Sequence, residues 1–216
     1  MSYRLLKYGN RLITGSGGGV EFPHVHIGNL DWMSVNLAVD DGGEGIHREE
    51  SVVSTYGGGL DMGTQYYYSA DAAFRVTANI GGGWRMPTIE DINDLLVAVG
   101  TAEGNAHKLI STQGWQSGSI GQGTNEYGLN IVPSGYYRSQ GTSWHPDPYV
   151  EIGFLGGILS STTIESNKVY FMNCQSSSPN IQVGRENIST MNVAWYQVRL
   201  VRDHVSIEER LLKKEV

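Results

Sequence analysis

The stretch from Trp84 to Gly100 constrains this chain most, because it specifies a helix, both its ends and its buried face. Thr88 stands where an N-cap is needed, and Asp91, three residues on, can close a capping box. Ile89, Ile92, Leu95, Leu96 and Val99 recur at the spacing of one helical face, and Gly100 supplies the stop. A second short helix is expected after Tyr66-Tyr67-Tyr68, with Ser69 as N-cap and Ala70, Ala72, Ala73 and Phe74 following. After residue 105 the pattern changes to short apolar runs broken by Gly, Ser, Asn and Pro. Of these, 129–133, 152–159, 168–173 and 195–202 read as strands. Earlier in the chain, 27–37 reads as a strand and its end, and 40–63, poor in apolar anchors, as a long loop.

Composition narrows the class. Twenty-nine glycines in 216 residues imply many turns, and they have no G-X-Y period, which excludes collagen. With 39% hydrophobic and 17% charged residues, the chain is no disordered polyelectrolyte. Its 12 tyrosines and 5 tryptophans supply large side chains for a core or a contact surface. No linker-like stretch divides the chain after residue 20, so one main domain over 20–203 is expected. Residues 1–19 read as an attachment element: a hairpin over 3–14 turning at Gly9-Asn10, then a flexible joint from Gly15 to Gly19. Residues 204–216 read as a C-terminal helix. Ser206 caps it, Glu208 and Glu209 lie in its first turn, and Lys213 and Lys214 in its last, an order that suits the helix dipole. Such a short helix must dock on its own domain or on copies of itself.

The formal charge is −7, and the basic clusters are Arg4/Lys7/Arg11 and Lys213/Lys214, near the ends, so nucleic acid is set aside as a partner. No run approaches a transmembrane helix, and the start lacks the apolar stretch of a signal peptide. The expectation is a chain that stays where it is made or leaves by lysis. Cys174 is the only cysteine, which forbids an intrachain disulfide and discounts a thiolate metal site; a half-buried structural thiol is expected.

The motifs resemble one family. IGNLDWMSVNL (27–37), YYYSADAA (66–73), GWRMPTIEDINDLL (83–96), KLISTQGW (108–115), TNEYGLNIVPSGYY (124–137), LSST (159–162) and YQVRLVRD (196–203) are similar, in order, to the Fibrobacter succinogenes major paralogous domain. That domain is a branch of the C-type lectin-like superfamily, which also holds the variable proteins of diversity-generating retroelements and the formylglycine-generating enzymes. The resemblance implies an α+β fold, with two short helices, a mainly antiparallel twisted sheet and long loops. Trp84 and Trp115 then look like core anchors. Asn125 and Glu126 look like backbone-bonding residues of a loop that turns at Gly128, and Arg85 and Arg199 like partners for buried carboxylates or carbonyls. Secreted relatives often carry cysteines where this chain has Ile80 and Leu200, and losing both suits assembly in a reducing compartment.

The resemblance does not imply catalysis here. The enzymatic branch needs a pair of cysteines, and related iron enzymes use a His-x-x-x-His arrangement that none of the six histidines forms. G-x-S-x-G, P-loop and H-E-x-x-H motifs are missing from the sequence. His24 and His26 would share one strand face but have no third ligand nearby in sequence, so no metal site is expected. Calcium, used by many lectin-like domains, could meet hard oxygens at Asp40-Asp41-Gly42-Gly43-Glu44. That run lacks the spacing of a known calcium loop, so no cofactor is expected.

Lectin-like domains present ligand contacts from loops of their second half. There SGYYRSQGTSWHPDPY (134–149) offers Tyr136, Tyr137, Arg138, Trp144, His145 and Tyr149, aromatic faces beside directional donors. A second loop over 174–192, with Asn180 and Arg185, would form an adaptable rim. The expectation is a non-enzymatic bacteriophage virion surface protein: a fibre, tail-tip or capsid-decoration subunit. It would contact other virion proteins through the hairpin and a host-surface glycan or protein through the loops. As a homo-oligomer, it would have the trimer common among fibres as its model. The alternative is a ligand-binding domain of a bacterial cell-surface or retroelement-diversified protein.

Overall fold

The computed structural model describes residues 21–100, 104–118, 120–138, 149–164, 168–187 and 194–205, and the backbone of 6–8 and 11–13. Leu6–Tyr8 (β1) and Arg11–Ile13 (β2) pair antiparallel with Tyr8 opposite Arg11, as an N-terminal hairpin requires. Its turn, the joint over 15–19 and, from residue 206 on, the helix expected over 204–216 lie outside the described residues.

The main unit opens with His24–Ile27 (β3) and Leu30–Met33 (β4), joined by Gly28-Asn29. The stretch 27–37 is therefore not one strand: a two-residue turn of hairpin chemistry interrupts it near its start. The stretch 40–63 is likewise no plain loop. It holds Ile46–Glu49 (β5), Val53–Ser54 (β6) and Leu60–Asp61 (β7), of which β6 and β7 pair with each other. β5 pairs with the fully buried Gln65–Tyr68 (β8), placing His47 opposite Tyr67 and Glu49 opposite Gln65. A half-exposed strand held by main-chain bonds to a buried neighbour needs few apolar anchors of its own.

Both helices start where their caps predict. Ala70–Thr77 (α1) is capped by the Ser69 side chain, which accepts from Ala72 N. Ile89–Ala98 (α2) carries the complete Thr88–Asp91 capping box, and Arg85 adds bonds of 2.5 and 3.1 Å to the same carboxylate. Gly100, at φ +99°, takes the left-handed conformation that ends the helix. Ile92, Leu95 and Val99 are buried, with Ile89 and Leu96 packed at their margin.

The second half is built from Tyr136–Arg138 (β9), Tyr149–Val150 (β10), Leu155–Ile164 (β11), Lys168–Gln175 (β12), Ser178–Asn187 (β13), Ala194–Trp195 (β14) and Val201–Asp203 (β15). They form three-stranded sheets in the orders β10-β9-β14, β11-β12-β13 and β15-β4-β3. The expected strand at 129–133 is not one. Among the described residues its only ladder contact is the bridge Ile110–Ile131, and the Arg199 guanidinium takes the carbonyls of Leu129 and Asn130 that a neighbouring strand would have used. The expected loop over 174–192 is, through Asn187, a continuation of β12, a Ser176-Ser177 turn and β13. Ile181 is buried while Gln182, Val183 and Arg185 are exposed, so this edge strand lacks an apolar pattern. The stretch 195–202 splits between β14 and β15. Between them, Val198 O and Leu200 O accept from Leu37 N and Met33 N at 2.7 and 2.9 Å.

Two apolar clusters flank β11 and β12. Leu155, Leu159, Val169 and Phe171 face the cluster of α1, Trp84, Ile80 and Leu200. Ile158, Met172 and Cys174 face the cluster of α2, Trp32 and Trp115. Alternation along a strand buried on both sides produces this division. The fold is α+β, with two α-helices among the described residues and mainly antiparallel sheets. Among those residues no helix is long and apolar enough to cross a membrane.

Candidate functional site

Strand register assembles an aromatic row. Tyr149 and Trp195 both stand opposite Tyr137, so the order β10-β9-β14 lines up Tyr149, Tyr137 and Trp195 on one face. Ring centroids lie 5.6 Å apart for Tyr137–Tyr149 and 5.2 Å for Tyr137–Trp195. Gly135 permits the approach of the preceding backbone. Its φ is +65°, and a Cβ there would sit 2.2 Å from Val150 O.

β5 closes on this row. The His47 imidazole stacks on Tyr137 at 3.9 Å and 7°, and Tyr67 lies beneath, 6.0 Å from Tyr149. The Tyr149 hydroxyl donates to Glu49 Oε2 and accepts from His47 Nε2, which assigns the Nε2–H tautomer to His47. Burial lowers the His47 pKa below its ordinary 6.5, outweighing the pull of Glu49, so the ring is neutral at pH 7. Burial also raises the pKa of Tyr67, whose hydroxyl donates to Ser134 O at 2.8 Å.

His47, Glu49, Tyr137, Tyr149 and Trp195 are all only partly buried. The Trp195 Nε1 atom is shielded from solvent and meets no acceptor among the described residues. Beside Trp195 opens a cleft of about 560 Å³ bordered by Glu44, Gly45, Ser69, Asp71 and Arg75. The segments 139–148 and 188–193 connect to this sheet at Arg138, Tyr149 and Ala194. The surface thus offers flat π faces, a carboxylate acceptor and a fixed hydroxyl.

Of the residues expected to bind ligand, the fold brings Tyr137 and Tyr149 together. Tyr136 is 8% exposed and packs against Tyr196 at 5.6 Å. Strand alternation turns it into the core, and Arg138, two residues on, follows it and donates to its hydroxyl at 3.0 Å. Trp144 and His145 lie outside the described residues. Asn180 and Arg185 belong to strand β13 in another sheet, not to a loop beside the row. Asn180 accepts from Gly104 N, and Arg185 lies over Tyr170. Sequence reasoning missed His47, Glu49 and Trp195. The available signal was the i, i+2 spacing of His47 and Glu49, which shares a face only if the stretch is a strand.

The other sequence candidates have structural partners. In the acidic loop, Arg75 binds the Asp41 carboxylate at 2.8 and 3.1 Å and the Glu44 carbonyl at 2.9 Å. Cys174 is fully rather than half buried, and burial pushes its thiol pKa up to about 12. Trp84 and Trp115 are core residues at 4% and 0% exposure. Asn125 turns its loop by accepting from Asn130 N at 2.7 Å.

These elements define a mixed α+β domain whose second half carries a partly exposed aromatic face. The chain belongs to the Fibrobacter succinogenes major domain family, whose model matches residues 25–202. Comparisons with curated proteins and with solved structures give no match.

Proposed function

We propose that the chain is a non-enzymatic binding protein with a C-type lectin-like head, displayed on a bacteriophage particle, and that the face around Tyr137 contacts a host-surface glycan or protein. The observation that carries this reading is the cross-strand row Tyr149–Tyr137–Trp195, capped by His47 and Glu49. Aromatic faces stack on the C–H faces of sugars or fill protein pockets, and a partly buried hydroxyl–carboxylate pair orients hydroxyl donors. The hairpin β1–β2 precedes the head and suits attachment to a virion partner, with a homo-oligomer as the natural display state. Apolar Ile80 and Leu200 in one core cluster remove any need for an oxidising compartment.

Binding of the full chain to intact bacteria and to arrayed bacterial surface oligosaccharides tests the contact face. Tyr137→Ala and Trp195→Ala should each weaken binding at least about tenfold, as truncated aromatic anchors do. Val97→Ser, on the exposed side of α2, should leave it unchanged. Equal binding by all variants would move the contact elsewhere. Mass spectrometry of purified virions tests display on the particle, and finding the chain in the bacterial envelope instead would favour the cell-surface alternative.

A further inference from the structure

We propose that His26, Asp31 and His204 form a binding site for a divalent first-row transition cation, zinc fitting best, on the outer face of the β15-β4-β3 sheet. Register builds the site. Asp31 stands opposite His26 on one side and Arg202 on the other. Two-residue periodicity puts His204 on the same face as Arg202, and the bond from His204 N to Asn29 O, 3.1 Å, holds it beside the β3–β4 turn. The opposite face of these strands buries Ile27, Leu30, Trp32 and Val201.

The donor atoms converge on one oxygen. Asp31 Oδ1 lies 2.7 Å from His204 Nδ1 and 3.6 Å from His26 Nδ1, and one ligand atom from each residue falls within 4.8 Å of the others. Tetrahedral zinc with bonds of about 2.0–2.2 Å places its ligands roughly 3.4 Å apart, so the shorter contact opens by less than one ångström. Two imidazoles and one carboxylate are borderline donors that suit zinc over calcium.

The surroundings orient the carboxylate. Arg202 Nε holds Asp31 Oδ2 at 3.1 Å, leaving Oδ1 toward the imidazoles. Glu21 engages the other guanidinium nitrogens at 2.7 and 2.8 Å, and Trp84 lies under the same group at 4.5 Å. Arg202 and Glu21 cancel, which leaves one net negative charge from Asp31 beside the two imidazoles and favours a dication. His24 stands behind, with Nδ1 on Phe22 O at 2.8 Å and Nε2 3.4 Å from Arg202 Nη2. Such outer bonds are what fix the ligands of metal centres. Asp31 is buried while the His26 and His204 side chains are 48% and 38% exposed, so a cation can enter from solvent and keep a water.

Titration calorimetry of the chelator-treated full chain with zinc chloride at pH 7.5 tests this. One equivalent should bind, with a higher thermal midpoint. His26→Ala and His204→Ala should each weaken binding at least about tenfold, the lower end of what outer-shell changes alone cost. His107→Ala, a histidine outside the site, should not. Both site histidines are half exposed, so circular dichroism should show their variants folded. The absence of saturable zinc uptake, or unchanged affinity in the His26→Ala/His204→Ala double variant, would overturn the assignment.

Discussion

At the scale of single residues, Arg199 shows how one side chain sets a segment. It is 1% exposed and donates to the carbonyls of Met33, Leu129 and Asn130 and to Asn36 Oδ1. Arg199→Leu would strand the buried carbonyls of Met33 and Leu129, at about 1–3 kcal/mol each, and the part-buried acceptors of Asn36 and Asn130 at less. Chemical denaturation should therefore show a loss of roughly 3 kcal/mol or more. His47 contributes a pH dependence of the opposite origin. Its folded pKa lies below 6.5, because burial disfavours the imidazolium more than Glu49 favours it. The unfolded chain takes up the proton first, so stability should fall as pH drops through 6.5 toward the folded value. His47→Gln should flatten the thermal midpoint over that window; an unchanged slope would mean that other groups set it. At this scale the sequence showed which residues were aromatic or cationic but not their faces. Tyr136 and Tyr137 are chemically equal, and only the register of β9 sends one inward and the other to the surface.

At the scale of elements, legibility follows how local the stabilising contacts are. α1 and α2 could be read because their caps and stripes lie within a few residues of each other. β5 could not, because main-chain bonds to β8, beyond β6 and β7, hold it; β13 could not, although β12 is its hairpin neighbour, because Ile181 is buried while Gln182, Val183 and Arg185 stay wet. The stretch 129–133 misled for a related reason: the carbonyls of Leu129 and Asn130 go to a side chain 70 and 69 residues away. The α2 cap gives two predictions. Thr88→Ala removes a side-chain cap and should cost about 1 kcal/mol in a denaturation midpoint series. Burial raises the Asp91 pKa, but its bonds to Arg85 and Thr88 outweigh that and hold it below 3.8. The stabilisation is complete above the unfolded value and is lost as pH falls through the folded one. Asp91→Asn should therefore be less stable than the parent at pH 6, with the gap narrowing as pH falls below 3.8.

At the scale of the whole molecule, motif order was enough to place the chain in its family, since the model match over 25–202 covers nearly the stretch those motifs span. The aromatic face was half legible. Tyr137 and Tyr149 lie in one segment, whereas Trp195 comes from β14 and His47 and Glu49 arrive from β5, about 100 residues before Tyr149. The cation site was less legible still, because His204 follows His26 by most of the chain and meets it only across β4.

The hairpin of β11 and β12 has a consequence for cooperativity. It furnishes a wall of both apolar clusters, Leu159 and Phe171 on one side and Ile158 and Met172 on the other. Neither cluster can melt while the other stands, because opening either one strips half of the same two strands. Scanning calorimetry should therefore record a single transition for the domain, with equal calorimetric and van't Hoff enthalpies. The amides of this hairpin should be the last to exchange with deuterium, their protection approaching the global unfolding free energy.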